Sequence, residues 1–396
     1  MRVPPVSLVP PTCRPETAGS AVNPRARAGA SPAARAILDE AGFEAARAAI
    51  RSWPGYTPTP LRRLDGLARA AGLGAIFLKD ESGRFGLGSF KALGGGFAVA
   101  RAIERRGPGI TVTCATDGNH GRAVAWGAAR VGCRCVIFVH EGVSLGRRRA
   151  IEAFGAEVRV VPGTYDDAVR RSAEVAAGEG WVLVSDTSFA GYEEIPRDVM
   201  QGYAVMAEEA LDELADGPPT HVFLQGGVGG LAAAVAARLD RRFAAARPRI
   251  VVVEPDRAAC LLASCRAGRP VAVAGDLDTV MAGLACGEPS LLAWRVLDEL
   301  AHAFLAIPDH AAVAVMRLLA EGVGGDPPLV VGESGVAGLA GALAAAAAPP
   351  LARALGLGPE SRVLVFGTEG ATDPEVYRAI VGKSPEAVAA RRGDRP

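Results

Sequence analysis

Short apolar, β-branched runs alternate along most of this chain with helical segments of ten or more residues, and that alternation restricts the fold more than any other feature. The runs fall at 75–79, 110–114, 135–140, 157–161, 181–184, 221–224, 250–253 and 363–366, and the helical patterns at 90–104, 122–131, 145–154, 166–178, 197–213 and 231–245. Strands that alternate with helices imply βαβ units and largely parallel sheets. The spacing is too irregular for eight equivalent units, so the expectation is an α/β chain with two open, mostly parallel sheets flanked by helices, not a closed barrel. In such folds ligands bind beyond the carboxyl ends of the strands, where helix N-termini point.

Composition removes several alternatives. Basic and acidic residues number 43 each, so there is no field to draw in nucleic acid or an anionic membrane. Seven cysteines, an odd number with no Cys-x-x-Cys pair, argue against a disulfide framework or a zinc site and for a reducing cytoplasm. Proline and arginine crowd the first 30 or so residues without an apolar core, which reads as a disordered tail and not a signal peptide. A helix is expected over 32–50. The Ala/Gly-rich stretch 336–348 is too short to span a bilayer and reads as a buried helix.

Of the 43 basic residues only Lys79, Lys91 and Lys383 are lysines. A primary amine condenses with an aldehyde and a guanidinium does not, so the scarcity singles out three side chains. Lys91, in Gly88-Ser89-Phe90-Lys91, opens a helix, whose dipole lowers an amine pKa. Lys79 has acidic neighbours and reads as ion-paired, and Lys383 as a solvated tail residue.

Three further motifs follow strands. In Cys114-Ala-Thr-Asp117-Gly118-Asn119-His120-Gly121, free N–H groups at a helix start suit a substrate carboxylate, and Asn119 suits a phenolate oxygen on a cofactor ring. Asp117 reads as a base, as the partner of a second substrate ammonium, or as a simple helix cap; His120 reads as structural. Gln225-Gly226-Gly227-Val228-Gly229-Gly230 offers backbone N–H groups to one phosphate, although Glu254, some 30 residues on, leaves a nucleotide ribose contact open. In Phe366-Gly-Thr368-Glu369-Gly370, the Thr368 hydroxyl suits a pyridine nitrogen left unprotonated, which favours loss of a β-substituent over transamination; the run also reads as a plain turn.

In this order the motifs resemble the fold-type II, tryptophan-synthase-β-like family of pyridoxal-phosphate (PLP) enzymes, and within it the diaminopropionate ammonia-lyases. The resemblance runs from about Tyr56 to Tyr377 and includes Pro58-Thr-Pro-Leu61, Arg84-Phe-Gly-Leu87, Phe90-Lys91, Ala115-Thr-Asp-Gly-Asn-His-Gly121, Met200-Gln-Gly-Tyr203, Gly332-Glu-Ser-Gly335 and Thr368-Glu-Gly370. Gly88-Ser89, where the lyases often carry Asn-Ala, departs toward the serine/threonine dehydratases. The resemblance implies pyridoxal 5'-phosphate as cofactor, Lys91 as its covalent attachment, and Lys91, Asp117 and Asp186 as catalytic residues. It implies Asn119, Gly226, Gly227, Val228, Gly229, Gly230 and Thr368 as further cofactor contacts, with no metal. The implied reaction is α,β-elimination of 2,3-diaminopropionate to pyruvate and ammonia by a cytoplasmic homodimer, with no nucleic-acid or membrane partner. The alternatives are serine/threonine dehydration or β-replacement on the same scaffold and, from another class, a non-catalytic PLP- or nucleotide-binding module. Cys260 and Cys286 lie in family-like segments and either approach one another or are ordinary buried thiols. The expected division is a disordered tail over 1–34, a large PLP-binding domain of 35–105 with 215–385, a small domain of 106–214, and a polar tail over 386–396.

Overall fold

A computed structural model describes residues 17–116 and 118–393. Its strands are β1 (Gly19–Val22), β2 (Leu61–Arg63), β3 (Ala75–Asp80), β4 (Thr111–Ala115), β5 (Arg134–His140), β6 (Glu157–Val161), β7 (Val182–Leu183), β8 (His221–Gln225), β9 (Arg249–Pro255), β10 (Ala303–Ile307) and β11 (Arg362–Gly367). They form two sheets, one in the order β1-β10-β9-β8-β11-β3-β2 and one in the order β6-β5-β4-β7. In the larger sheet the inner strands β10, β9, β8, β11 and β3 are mutually parallel, and β1 and β2 close the edges antiparallel. The smaller sheet is parallel throughout. Two open, mostly parallel sheets flanked by helices are what the alternating pattern requires.

Burial explains why the inner strands read as unbroken apolar runs. Phe223 and Leu224 of β8 and Ile250 to Val253 of β9 are fully buried, because helices cover both faces of a parallel sheet. One cover is the Ala337–Ala347 helix, where a Cβ on Gly338 would fall 2.7 Å from the Phe223 carbonyl oxygen. Among the described residues no single helix is long and apolar enough to cross a membrane; this one bends by 109° into Pro349–Leu355. At the rim of the smaller sheet, β6 carries Glu157 paired to Arg134 and Arg159, a charged edge that discourages further strand pairing.

The Lys91–Arg106 helix is wedged between the Asn119–Val131 and Glu194–Glu213 helices. Gly94-Gly95-Gly96 allows the approach: a Cβ there would lie 2.4 Å from Tyr203 Cε1, 2.9 Å from Ala123 Cβ and 2.8 Å from Trp126 Cζ3 respectively. Lys91 therefore starts a helix gripped from two sides.

Several expectations change. The tail expected to be disordered through residue 34 is structured from residue 19, where β1 adds to the edge of β10 and the Asn23 amide donates to the carbonyls of Asp298 and Ala301. The helix expected over 32–50 is two, Pro32–Ile37 and Glu40–Arg51, because Asp39 caps the second by accepting from Gly42 N. The end expected as a polar tail forms the Pro385–Gly393 helix, with Val388 buried. The edge strands β1 and β2 are too short for periodicity alone to separate from helix or loop, and the inner strand β10 is an alanine-rich run that suits a helix as well.

Candidate active site

The site lies where the carboxyl ends of parallel strands from both sheets meet. The loop after β3 leads through Gly88-Ser89-Phe90 to Lys91, and it pairs with the segment after β11: Phe90 N donates to the Thr368 carbonyl at 3.0 Å and Gly370 N to the Gly88 carbonyl at 2.9 Å. Two separate parts of the sequence thus bring Lys91 and Thr368 to one place. Lys91, Asn119, Asp186, Gly226, Thr368 and Glu333 all line a cavity of about 1320 Å³.

Lys91 Nζ lies 2.5 Å from Asp186 Oδ2, with the Phe90 and Tyr203 rings 5.4 and 5.6 Å away. Burial pulls the amine pKa down, but the charge of Asp186, its hydrogen bond and Tyr203 outweigh it and hold Lys91 well above the ordinary lysine value. The lowering expected from the helix dipole is overruled by this partner from a distant segment. Burial alone would raise Asp186; the Lys91 charge reverses that and holds the carboxyl well below its usual range.

Asn119 is the first residue of the Asn119–Val131 helix, and its amide donates to Glu369 Oε2 at 2.5 Å. Asp117, two residues earlier, lies outside the described residues. His120 Nε2 meets the Val184 carbonyl at 2.7 Å, and Nδ1 lies 3.9 Å from Asp186 Oδ2. Burial lowers the His120 pKa, and its contact with the Val184 carbonyl fits a structural role for the ring.

Gly226 to Gly230 turn from β8 into the Gly230–Phe243 helix. Gly227 and Gly229 have φ of +58° and +94°, a backbone that side-chain-bearing residues resist. A Cβ on Gly226 would fall 2.4 Å from Glu254 Cγ. The turn therefore presents bare backbone and a helix N-terminus to the cavity, the arrangement that holds a phosphate. The nucleotide reading of Glu254 fails: its carboxylate is buried and accepts from Leu261 N and Leu262 N at 2.8 and 2.7 Å, capping a helix rather than meeting a ribose.

Thr368 is buried, and its Oγ1 lies 3.1 Å from Gln225 Nε2. The other two lysines are taken elsewhere. Lys79 is ion-paired, though to Glu209 at 3.2 Å and Glu213 at 2.5 Å and not to its sequence neighbours, and Lys383, expected to be solvated, pairs with Glu321. Cys260 and Cys286 are not joined in a disulfide.

Some site residues escape the sequence reading. Glu369 accepts from Asn119 and from Ser334 N. Glu333 is pushed up to about 7 by burial and by the charge of Glu369, and Glu369 is itself raised by burial. Arg147 reaches Glu333 and Asp373, each at 3.5 Å. Both glutamates sit in glycine-flanked runs, Gly332-Glu-Ser-Gly335 and Thr368-Glu-Gly370, and an acid in such a loop beyond a strand is the signal that marks them. Arg147 is one of three consecutive arginines, and nothing local distinguishes it.

A lysine amine at the cavity wall, a glycine turn fit for one phosphate, a half-buried Asn119 amide and a buried Thr368 hydroxyl together fit pyridoxal phosphate. The family model for pyridoxal-phosphate dependent enzymes matches residues 52–369. The chain is similar to diaminopropionate ammonia-lyase of Escherichia coli (strain K12), 42% identical over 358 residues that cover 85% of this chain and 90% of that protein. Its fold is similar to a crystal structure of the Escherichia coli lyase in complex with an aminoacrylate-PLP azomethine reaction intermediate, with a TM-score of 0.86, 38% identity and coverage of 93% and 98% of the two chains. A structure of the same lyase with D-serine gives 0.86 at 37% identity, covering 95% and 100%. The chain belongs to the pyridoxal-phosphate dependent enzyme family, in its diaminopropionate ammonia-lyase branch.

Proposed function

We propose that this chain is an ammonia-lyase that converts 2,3-diaminopropionate and water to pyruvate and two molecules of ammonia. The observation that carries the reading is the Lys91–Asp186 pair at 2.5 Å inside the cavity, in a chain whose other two lysines are ion-paired elsewhere.

Lys91 would hold the aldehyde carbon of the coenzyme, Gly226, Gly227, Val228, Gly229 and Gly230 its phosphate, Asn119 its phenolate oxygen and Thr368 its ring nitrogen. When bound, pyridoxal phosphate supplies an electron-withdrawing ring that acidifies the Cα proton of an amino acid joined to it. The Lys91 amine, released in neutral form when the substrate amine takes its place on the coenzyme carbon, would take that proton, and Asp186, 2.5 Å from Lys91 Nζ, would turn its carboxylate to an incoming cation. A substrate with a β-ammonium brings that cation, so Asp186 both selects the substrate and holds the leaving nitrogen. Asp117, two positions before Asn119 in the sequence, serves as a second acid. Loss of the Cα proton and the β-nitrogen gives an enamine, which water converts to pyruvate and the second ammonia.

Two finer readings belong to the same proposal. The enzyme works in the cytoplasm, supported by six free thiols among the described residues, and as a homodimer, supported by the resemblance to its family.

Pyruvate formation by the holoenzyme, followed with diaminopropionate, serine and threonine in parallel, tests the substrate. The expected result is a kcat/KM highest for diaminopropionate, and a preference for serine overturns it. Borohydride trapping, followed by peptide mapping, is expected to place the coenzyme on Lys91.

A further inference from the structure

Gln225 is the last residue of β8, directly before the glycine turn, and it is 1% exposed. Its Nε2 lies 2.8 Å from the Gly335 carbonyl, 2.6 Å from the Phe366 carbonyl and 3.1 Å from Thr368 Oγ1. Its Oε1 is buried without a hydrogen-bond partner. The amide orientation is forced, because turning it over would press Oε1 against two carbonyl oxygens and bring lone pairs into opposition. The fold accepts an orphaned acceptor, a costly item in a buried site, in order to keep the NH2 on this side.

That orientation has a consequence for Thr368. An amide nitrogen has no lone pair to offer, so the Thr368 hydroxyl cannot donate to Gln225 and meets it only as an acceptor. Each of the two carbonyls keeps a second lone pair, but among the hydrogen bonds of the described residues Thr368 Oγ1 occurs only as the acceptor of Gln225 Nε2 and donates to no protein acceptor. Its proton is thereby left for the cavity that the residue lines.

We propose that Gln225 is a positioning residue that fixes the Thr368 hydroxyl as a donor into the cavity and so holds the coenzyme ring nitrogen hydrogen-bonded and unprotonated. The inference rests on the reading of Thr368 as the ring-nitrogen partner and deepens it. An unprotonated nitrogen weakens the ring as an electron sink, which favours departure of a β-substituent over reprotonation at the coenzyme carbon, the step that ends in pyridoxamine phosphate. Gln225 thus acts on the choice between elimination and transamination without touching the reacting atoms.

The test uses Gln225→Met, which keeps the size and removes the donor, with Thr368→Ala and the double variant, each as apoprotein and as holoenzyme. Removing the donor frees the Phe366 and Gly335 carbonyls to compete for the Thr368 proton. The expected result for Gln225→Met is a coenzyme dissociation constant raised about tenfold by absorbance titration, a shifted coenzyme absorption band, and kcat lowered about tenfold with KM within about twofold. The coenzyme recovered as pyridoxamine phosphate per turnover is expected to rise. In the Thr368→Ala background, Gln225→Met is expected to add less than about twofold, because the hydroxyl it acts through is gone.

Effects that multiply fully in the double variant, or a Gln225→Met protein with wild-type coenzyme affinity and band, overturn the inference. If Gln225→Met does not fold, Gln225→Leu, which also removes the donor, takes its place: a wild-type band and coenzyme affinity overturn the inference, and a shifted band with weakened affinity that is absent in the Thr368→Ala background supports it. An unchanged band and affinity in Thr368→Ala alone would instead remove the reading of Thr368 on which this rests, so the two failures are distinguishable.

Discussion

Glu254 accepts two backbone hydrogen bonds and is still pushed up to about 8 by burial, while Glu333 stands at about 7. An exposed glutamate in the unfolded chain titrates near about 4.3. Between about pH 4.3 and 8 the folded protein holds protons that the unfolded chain has released, so linkage makes stability fall as pH rises through that window. The apoprotein melting temperature is expected to decline from pH 5 to 8. Glu254→Gln is expected to flatten the decline while costing about 1–2 kcal/mol at pH 5, since one helix N–H loses its acceptor; an unchanged slope would count against Glu254 as its source. Lys91 illustrates the same scale from the other side. Its scarcity and its place before a helix were readable from the chain, but the sign of its pKa shift was not. That sign depends on Asp186, which lies 95 residues away.

At the scale of elements, the helix that carries Lys91 owes its position to three glycines. A Cβ on Gly94 would lie 2.4 Å from Tyr203 Cε1 and 2.7 Å from the Val199 carbonyl oxygen, and backbone cannot step aside as a side chain can. Gly94→Ala is therefore expected to lower the urea midpoint, with a loss of about 1–3 kcal/mol, and to weaken coenzyme retention because Tyr203 packs beside Lys91 Nζ. Inner strands and long helices were legible here because a repeated pattern averages over many residues. β1 was not: Gly19 to Val22 is four residues long, and it becomes a strand because β10 offers it an edge. β10 is as short and as fully buried as β8, but its run Ala-Phe-Leu-Ala-Ile is alanine-rich and suits a helix as well as a strand.

At the scale of the molecule, the cavity is framed by loops of both sheets, and Arg147 spans it. Arg147 stands on the Leu145–Glu152 helix, beside the smaller sheet, and reaches Glu333 and Asp373 in loops of the larger one; Ser144 donates to Asp373 at 3.2 Å from the same turn. Arg147→Ala is expected to lower kcat/KM about tenfold by loosening the alignment of the two walls, with the coenzyme absorption band preserved; steady-state kinetics and a spectrum check both. The sequence by itself determined the α/β class, because strand and helix periodicities are local properties, and its motifs, through their resemblance to a known family, pointed to the coenzyme and to Lys91, Asn119, Asp186, Thr368 and the glycine turn after β8. Tertiary structure alone decided which acid faces Lys91, which amide orients Thr368 and which arginine bridges the walls. Those outcomes depend on pairs far apart in the chain, and burial sets the strength of their interactions only after the two sheets have come together.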